Sequence, residues 1–182
     1  HPPAHGPRSP ITHPTAQAPP GYYALTLADY GVRAAMTPTQ RTGLLRFTFP
    51  KDDANRIQID LARRIGGTSL RQYIRVLDDR RIEGWMEYAP EGGGWGNGLT
   101  NMVFYTVHFA AEFSRPFAGH GVWSADIPDG QTRKIQDIES EAYQDLVRTG
   151  RMIENPAEME GDHLLFVARF PDLEAGAQVQ FK

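Results

Sequence analysis

The segment Ile57-Gln-Ile-Asp-Leu61 alternates apolar and polar side chains along its whole length. Successive side chains of a β-strand point to opposite faces, so this pattern predicts a strand with one buried and one polar face. The preceding segment, residues 44–49, repeats the alternation, with Phe47 and Phe49 on either side of Thr48. The two segments are separated only by a short polar stretch, which indicates two strands joined by a turn.

Three later segments continue the pattern: Tyr73-Ile-Arg-Val-Leu77, Ile82-Glu-Gly-Trp-Met86 and Tyr105-Thr-Val-His-Phe-Ala-Ala-Glu-Phe113. Short turns such as Asp78-Asp79, rather than helices, connect these strands, and that arrangement favours an antiparallel β-sandwich over an α/β fold. We expect two facing sheets in which alternation divides one set of apolar residues between inner and outer faces: Leu45, Phe47, Ile57, Ile59, Ile74, Val76, Val107 and Phe109.

One region departs from the strand pattern. Between residues 132 and 152, Ile135, Ile138, Ala142 and Leu146 fall on one side of a helix, and the charged residues lie mostly elsewhere. Gly150 is a suitable stop signal. The sequence therefore predicts a mainly β chain with one short helical insertion over residues 132–150.

Composition limits the possible classes of protein. Residues 1–20 are rich in proline and show no periodicity, which predicts an extended or disordered segment, while residues 21–182 are predicted to belong to one β-sandwich domain. A formal net charge of -3 with mixed signs argues against nucleic-acid binding. The absence of cysteine excludes disulfides and thiolate metal sites. No stretch resembles a signal peptide or a membrane span.

The stretch Glu91-Gly-Gly-Gly-Trp-Gly-Asn-Gly98 lies between two predicted strands. So much glycine indicates a loop with an unusual backbone shape, or one whose backbone approaches a partner closely. An exposed Trp95 could stack on a sugar ring, with Asn97 and Asn101 as hydrogen-bonding groups. With Trp123, these residues form the predicted carbohydrate or interdomain rim. The alternative is an ordinary hairpin in which Trp95 packs against its own loop.

Catalytic and metal sites are not predicted. The six histidines show no metal-ligand spacing within one regular element. The acidic residues near Trp123, namely Asp126, Asp129, Glu139 and Glu141, are typical of a solvated loop and a helix start. Glycosidases use paired carboxylates, but no sequence spacing fixes such a pair here.

Several segments, taken in order, resemble the N-terminal domain of glycoside hydrolase family 92. They are Gly21-Tyr-Tyr-Ala-Leu-Thr-Leu-Ala-Asp-Tyr-Gly-Val-Arg-Ala-Ala35, Thr42-Gly-Leu-Leu-Arg-Phe-Thr-Phe-Pro50, Ile57-Gln-Ile-Asp60, Ile82-Glu-Gly-Trp-Met86, Tyr105-Thr-Val-His-Phe109, Phe113-Ser-Arg-Pro-Phe117 and Gly121-Val-Trp-Ser-Ala-Asp-Ile-Pro128. The resemblance covers nearly everything from Gly21 to Lys182.

The resemblance implies a galactose-mutarotase-like supersandwich packed on an (α/α)6-barrel catalytic domain. Family members are exo-acting, inverting, calcium-dependent alpha-mannosidases, chiefly bacterial, that act on N-glycans or mannans. Most are exported, which implies a periplasmic or extracellular location. Their general acid and general base come from the barrel. The resemblance therefore implies a non-catalytic fragment, truncated at both ends, whose partners are the barrel in cis and mannose-containing glycans.

Two other readings remain open. One is a free-standing carbohydrate-binding module that uses Trp95 and Trp123; the other is a structural module whose glycine loop docks another domain. An exposed aromatic platform would favour the binding module, whereas a broad apolar face would favour a partner domain.

Overall fold

The computed structural model describes residues 9–10, 16–62, 68–89, 104–126, 141, 145 and 148–182. Within these ranges the backbone forms twelve strands: β1 (Tyr23–Leu27), β2 (Val32–Pro38), β3 (Gly43–Thr48), β4 (Arg56–Asp60), β5 (Thr68–Val76), β6 (Arg81–Ala89), β7 (Tyr105–Glu112), β8 (Gly119–Ser124), β9 (Arg151–Glu154), β10 (Glu158–Gly161), β11 (Leu164–Arg169) and β12 (Gln178–Phe181).

The strands form three four-stranded sheets, in which all neighbours are antiparallel. Sheet I has the order β1-β2-β3-β12, sheet II the order β10-β5-β6-β7 and sheet III the order β4-β11-β8-β9. The predicted mainly β, antiparallel architecture is confirmed. The described strands form three sheets rather than the expected two, because β3 and β4 do not pair: β3 pairs with β12, and β4 pairs with β11.

One apolar core lies between the three sheets. Val32 and Val179 come from sheet I, Ile74 and Ile82 from sheet II, and Phe166 from sheet III, and all five are buried. Complete burial of a side chain of this kind contributes roughly 1.5–3 kcal/mol. The core therefore holds together strands that are far apart in the sequence.

The residues expected to alternate between faces have different degrees of burial. Ile57 and Ile74 are buried, and four others pack partly exposed against the core: Phe47, Ile59, Val76 and Phe109. Val107 is 44% exposed, although it lies two residues before Phe109 and therefore on the same face. The exposed position of Val107 shows that β7 extends beyond the edge of the core.

A buried amide links sheet II to sheet III. Gln72 on β5 has no exposed surface. Its Nε2 donates to Oγ of Ser69 at 2.6 Å, and its Oε1 accepts a hydrogen bond of 3.0 Å from the backbone N–H of Leu164 on β11. Both polar ends of the buried side chain are thus paired, as a low-dielectric interior requires.

Gly84 on β6 allows close packing within sheet II. A Cβ at this position would meet the backbone carbonyl of Tyr73 on β5 and would lie 2.8 Å from Cε1 of Phe109 on β7. The ring of Phe109 therefore occupies the space that a side chain on Gly84 would need. Glycine is required here by this close approach and not by an unusual backbone angle.

The predicted helical insertion is described only in part. Glu141, Asp145 and Arg148 have helical backbone, and the N–H of Thr149 donates to the carbonyl of Asp145 at 3.1 Å. The remainder of residues 132–147 lies outside the described ranges. The broader helical pattern reached residue 152, but Met152 belongs to strand β9, where it pairs with Trp123 in β8. Within the described residues, no helix is long and apolar enough to cross a membrane.

Residues 1–20, expected to be extended or disordered, are described only at residues 9–10 and 16–20. Gln17 forms an isolated antiparallel bridge with Ala24 in β1. The N–H of Ala28 donates to the carbonyl of Pro10 at 3.2 Å, and the N–H of Asp29 donates to Oγ of Ser9 at 3.1 Å. The described parts of this segment therefore contact sheet I.

Candidate functional site

The glycine-rich loop that carries Trp95, Asn97 and Asn101 lies outside the described residues. The loop connects β6 to β7, so its two ends are held at one end of sheet II. Its role as a rim of a carbohydrate or interdomain site stays a prediction. The adjoining strands β6 and β7 are described, and their side chains border the loop.

The base of the loop is an exposed aromatic surface. Tyr88 on β6 and Tyr105 on β7 are direct partners, and their rings stack with centroids 4.6 Å apart. Phe104 is 62% exposed, Tyr105 47% and Val107 44%. Such apolar surface next to a glycine-rich loop is typical of a surface that a ligand or another domain covers.

Trp123 lies in β8 and is buried, with 7% of its surface exposed. It packs with Leu165 and Val167, which project from the side of β11 opposite the main core. Its Nε1 is buried and has no hydrogen-bond partner among the described residues. An open stacking platform needs an exposed indole face, which this position does not provide. The part of Trp123 in a sugar or interdomain rim stays a prediction that its burial does not support.

The outer face of sheet II carries a row of side chains that were not among the predicted site residues. Glu160, Tyr73, Trp85 and His108 are successive partners across β10, β5, β6 and β7. The rings of Tyr73 and Trp85 are stacked, with centroids 5.7 Å apart and an interplanar angle of 16°. The alternation in Ile82-Glu-Gly-Trp-Met86 already placed Trp85 opposite the apolar face, and that signal could have identified it.

Charged groups fix this row. The hydroxyl of Tyr73 donates to Oε2 of Glu158 at 2.5 Å, and this hydrogen bond raises the pKa of Tyr73. Arg71 pairs with Glu160, and the hydrogen bond to that carboxylate raises the pKa of Arg71. Tyr73 therefore stays protonated and donating at neutral pH. The hydrogen bonds to Glu158 and Glu160 hold the side chains of this row in place. The stacked rings of Tyr73 and Trp85 are half-buried and form a contact surface.

A cleft of about 550 Å³ lies between the β1–β2 turn and residues 52–58. Its floor is apolar and includes Val32, Phe49 and Ile57. Its rim carries Asp29, Tyr30, Asp52, Arg56 and Gln58. An apolar floor with a few polar groups at the rim is the usual composition of a small-ligand pocket or of a socket for a side chain from another domain.

Several acidic residues of the described chain are exposed or paired with arginine. Within the described ranges, no group of three or more His, Asp or Glu residues could hold a metal ion. Asp126 and Glu141 are exposed, while Asp129 and Glu139 fall outside those ranges. The pKa of Glu154 is lowered by its hydrogen bonds to Arg169, whereas the general acid of a glycosidase needs a raised pKa.

Several known proteins that this chain resembles belong to one family. The family model described as the glycosyl hydrolase family 92 N-terminal domain matches residues 1–182. A family GH92 alpha-mannosidase from Bacteroides thetaiotaomicron is 26% identical, with a TM-score of 0.68 over 97% of this chain and 20% of that one. The same enzyme has been solved in complex with mannoimidazole.

A family GH92 inverting mannosidase from the same organism is 17% identical, with a TM-score of 0.61 over 95% of this chain and 18% of that one, and shows the shared fold. No curated protein sequence matches the chain. The chain spans about a fifth of the length of the structural relatives. Because the family model extends over all 182 residues, this chain belongs to the glycosyl hydrolase family 92 N-terminal domain family.

Proposed function

We propose that this chain is the non-catalytic N-terminal β-sandwich portion of an exo-acting alpha-mannosidase. The proposal rests on how much of each chain is shared. A family GH92 alpha-mannosidase aligns with 97% of this chain, but only 20% of that enzyme's own length is covered. The remaining four fifths of such an enzyme have no counterpart here. Inverting glycoside hydrolysis needs two carboxyl groups roughly 6.5–9.5 Å apart, and we place both in the remainder of the enzyme.

The remainder is an (α/α)6-barrel that supplies the general acid and the general base and binds calcium. The complete enzyme inverts configuration and releases mannose from alpha-linked mannosides of N-glycans or mannans. It acts in the periplasm or outside the cell. These properties rest on the resemblance to family 92.

The sandwich contributes a surface at the junction with the barrel. The glycine-rich loop lies near the rim of the active site, where Trp95 stacks on the substrate and Asn97 and Asn101 donate or accept hydrogen bonds. The exposed aromatic base of the loop supports this placement, because Phe104 and Tyr105 leave apolar surface that a neighbouring domain would bury.

The test compares residues 1–182 with the complete enzyme on an alpha-linked manno-oligosaccharide, each with calcium and with a chelator. We expect mannose release by the complete enzyme in calcium only, and release at the uncatalysed rate by residues 1–182 in both conditions. Near- and far-ultraviolet circular dichroism of residues 1–182 provides the control for folding. Turnover by folded residues 1–182 alone would refute the assignment of catalysis to the remainder.

The alternative, a free-standing carbohydrate-binding module, predicts that residues 1–182 bind sugar by themselves. Titration of residues 1–182 with methyl alpha-mannoside in a calorimeter would show saturable binding for a module of that kind. A sandwich that forms only part of a subsite gives no saturable heat. Saturable binding that Trp95→Ala abolishes would establish the module in place of the proposed role.

A further inference from the structure

Strand β7 forms an edge of sheet II. The N–H of Phe113, which follows β7, donates to the carbonyl of Arg80 on the β6 side at 2.8 Å. Backbone hydrogen-bonding groups alternate in direction along a strand. The N–H and C=O groups of the odd-numbered residues of β7 therefore point toward β6, and those of the even-numbered residues point to the opposite side. The register between β6 and β7 runs without a shift from Tyr105 to Glu112. The N–H and C=O groups of Thr106, His108 and Ala110 therefore point to the outer edge.

This outer edge is exposed between Thr106 and Ala110. Among the described residues, no strand pairs with it, and the side chains of Thr106, His108 and Ala110 are exposed. Proteins usually protect a free edge with a proline, a lysine, a bulge or a very short strand. The eight-residue strand β7 contains neither proline nor lysine. The apolar residues beside the edge, Tyr105 and Val107, are also exposed.

The far end of the same edge is already paired with β12 and with Lys182, the residue that follows it. The N–H of Glu112 donates to the carbonyl of Lys182 at 3.0 Å, and the N–H of Lys182 donates to the carbonyl of Glu112 at 3.2 Å. The N–H of Ser114 donates to the carbonyl of Gln180 at 2.8 Å. The direction is antiparallel, as the bridge between Phe113 and Phe181 shows. An extended continuation of β12 in this register would lie opposite Ala110, then His108, then Thr106.

We propose that the edge of β7 from Thr106 to Ala110 pairs with an added antiparallel strand, formed by the part of the complete enzyme that continues β12. The inference rests on the proposed function, which supplies the additional chain. The added strand satisfies the outward N–H and C=O groups of three residues and covers Tyr105 and Val107. It also joins the remainder of the enzyme to β7, the strand that follows the glycine-rich loop.

Hydrogen exchange tests the pairing directly. In the complete enzyme, the amides of Thr106, His108 and Ala110 are expected to exchange at least tenfold more slowly than in residues 1–182 alone. The amides of Val107 and Phe109, which face β6, are internal controls and are protected in both proteins. Equally fast exchange of the three edge amides in the two proteins would overturn the proposal.

Proline substitution gives a second, independent test. His108→Pro removes only an outward N–H, so in residues 1–182 it should lower the Tm about as much as proline lowers it at any solvent-facing edge position. In the complete enzyme the same substitution is expected to lower the Tm by several degrees more, relative to His108→Ala in each protein. Val107→Pro removes an N–H that faces β6 and should destabilise both proteins alike. An equal effect of His108→Pro in the two proteins would contradict the added strand.

The outcomes separate this inference from the proposed function. A complete enzyme that hydrolyses mannosides while its β7 edge exchanges freely refutes the added strand alone. A complete protein that protects the edge but has no mannosidase activity refutes the proposed function alone. Protection in residues 1–182 that increases with protein concentration would identify a second copy of the chain as the occupant and would overturn the proposal.

Discussion

Replacing Gln72 with leucine is expected to destabilise the sandwich, because this side chain connects two sheets. Gln72→Leu has a similar volume and keeps the site filled, but it removes the acceptor for the N–H of Leu164 and the donor to Ser69. Ser69 is 2% exposed and Leu164 is completely buried, so water cannot replace the lost partners. Each buried polar group left unpaired costs roughly 1–3 kcal/mol.

The net effect should be smaller than the sum of two such penalties, since leucine gains from burial in an apolar environment. We expect a loss of about 2–4 kcal/mol in the free energy of unfolding. For a chain of this size, about 1 kcal/mol corresponds to roughly 2–4 °C in Tm, so the Tm should fall by about 5–15 °C. Urea unfolding followed by circular dichroism measures the free energy, and a thermal scan measures the Tm.

Two further variants test whether hydrogen bonding is the cause. Gln178→Leu is the matched control, because Gln178 is exposed on β12 and its replacement should change stability by less than about 0.5 kcal/mol. Gln72→Glu keeps an acceptor for Leu164 but buries a carboxyl group, whose folded-state pKa should be raised. Its stability should therefore recover as the pH falls from the raised folded-state pKa to the ordinary carboxyl pKa. If Gln72→Leu is as stable as Gln178→Leu, the reasoning from buried polar groups is wrong.

The other predictions concern close packing, acid stability and the loop. Gly84→Ala should cost roughly 1–3 kcal/mol in urea unfolding, because its Cβ would collide with both neighbouring strands, whereas Gly43→Ala, whose Cβ would lie 3.9 Å from Cδ1 of Leu45, should be nearly neutral. Arg169 lowers the pKa of Glu154, so this pair stabilises the fold above the ordinary carboxyl pKa and the effect disappears as the pH falls through the folded-state pKa. Glu154→Gln should therefore reduce stability at pH 7 by less than about 1 kcal/mol, because the pair is largely exposed, and a deficit that persists at pH 2 would contradict the ion pair. Trp95→Ala in the complete enzyme should lower kcat/KM with little change in Tm, while a lower Tm with unchanged kinetics would identify a packing residue.

The sequence alone determined the type of element and its faces. Alternation such as Ile57-Gln-Ile-Asp-Leu61 reports the period of a strand, and short turns exclude long crossovers, so the antiparallel β architecture followed from local pattern. The same local signal could have placed Trp85 on the polar face of β6. The order of several segments was sufficient to indicate the family. These features are local because side-chain direction depends only on the backbone of the residue and its immediate neighbours.

Only the tertiary structure decided which strands pair and how deeply each face is covered. Pairing of β3 with β12 joins residues that are far apart in the sequence, and no local pattern specifies such a partner. Trp123 is buried with Leu165 and Val167 on the side of sheet III opposite the main core, and Val107 is exposed because β7 extends past the core, although both residues belong to similar alternating segments. Gln72 is buried beside a strand of another sheet, where the N–H of Leu164 supplies one of its hydrogen-bond partners. A side chain's face is set by its own strand, whereas its burial depends on the elements that the whole fold packs against that face.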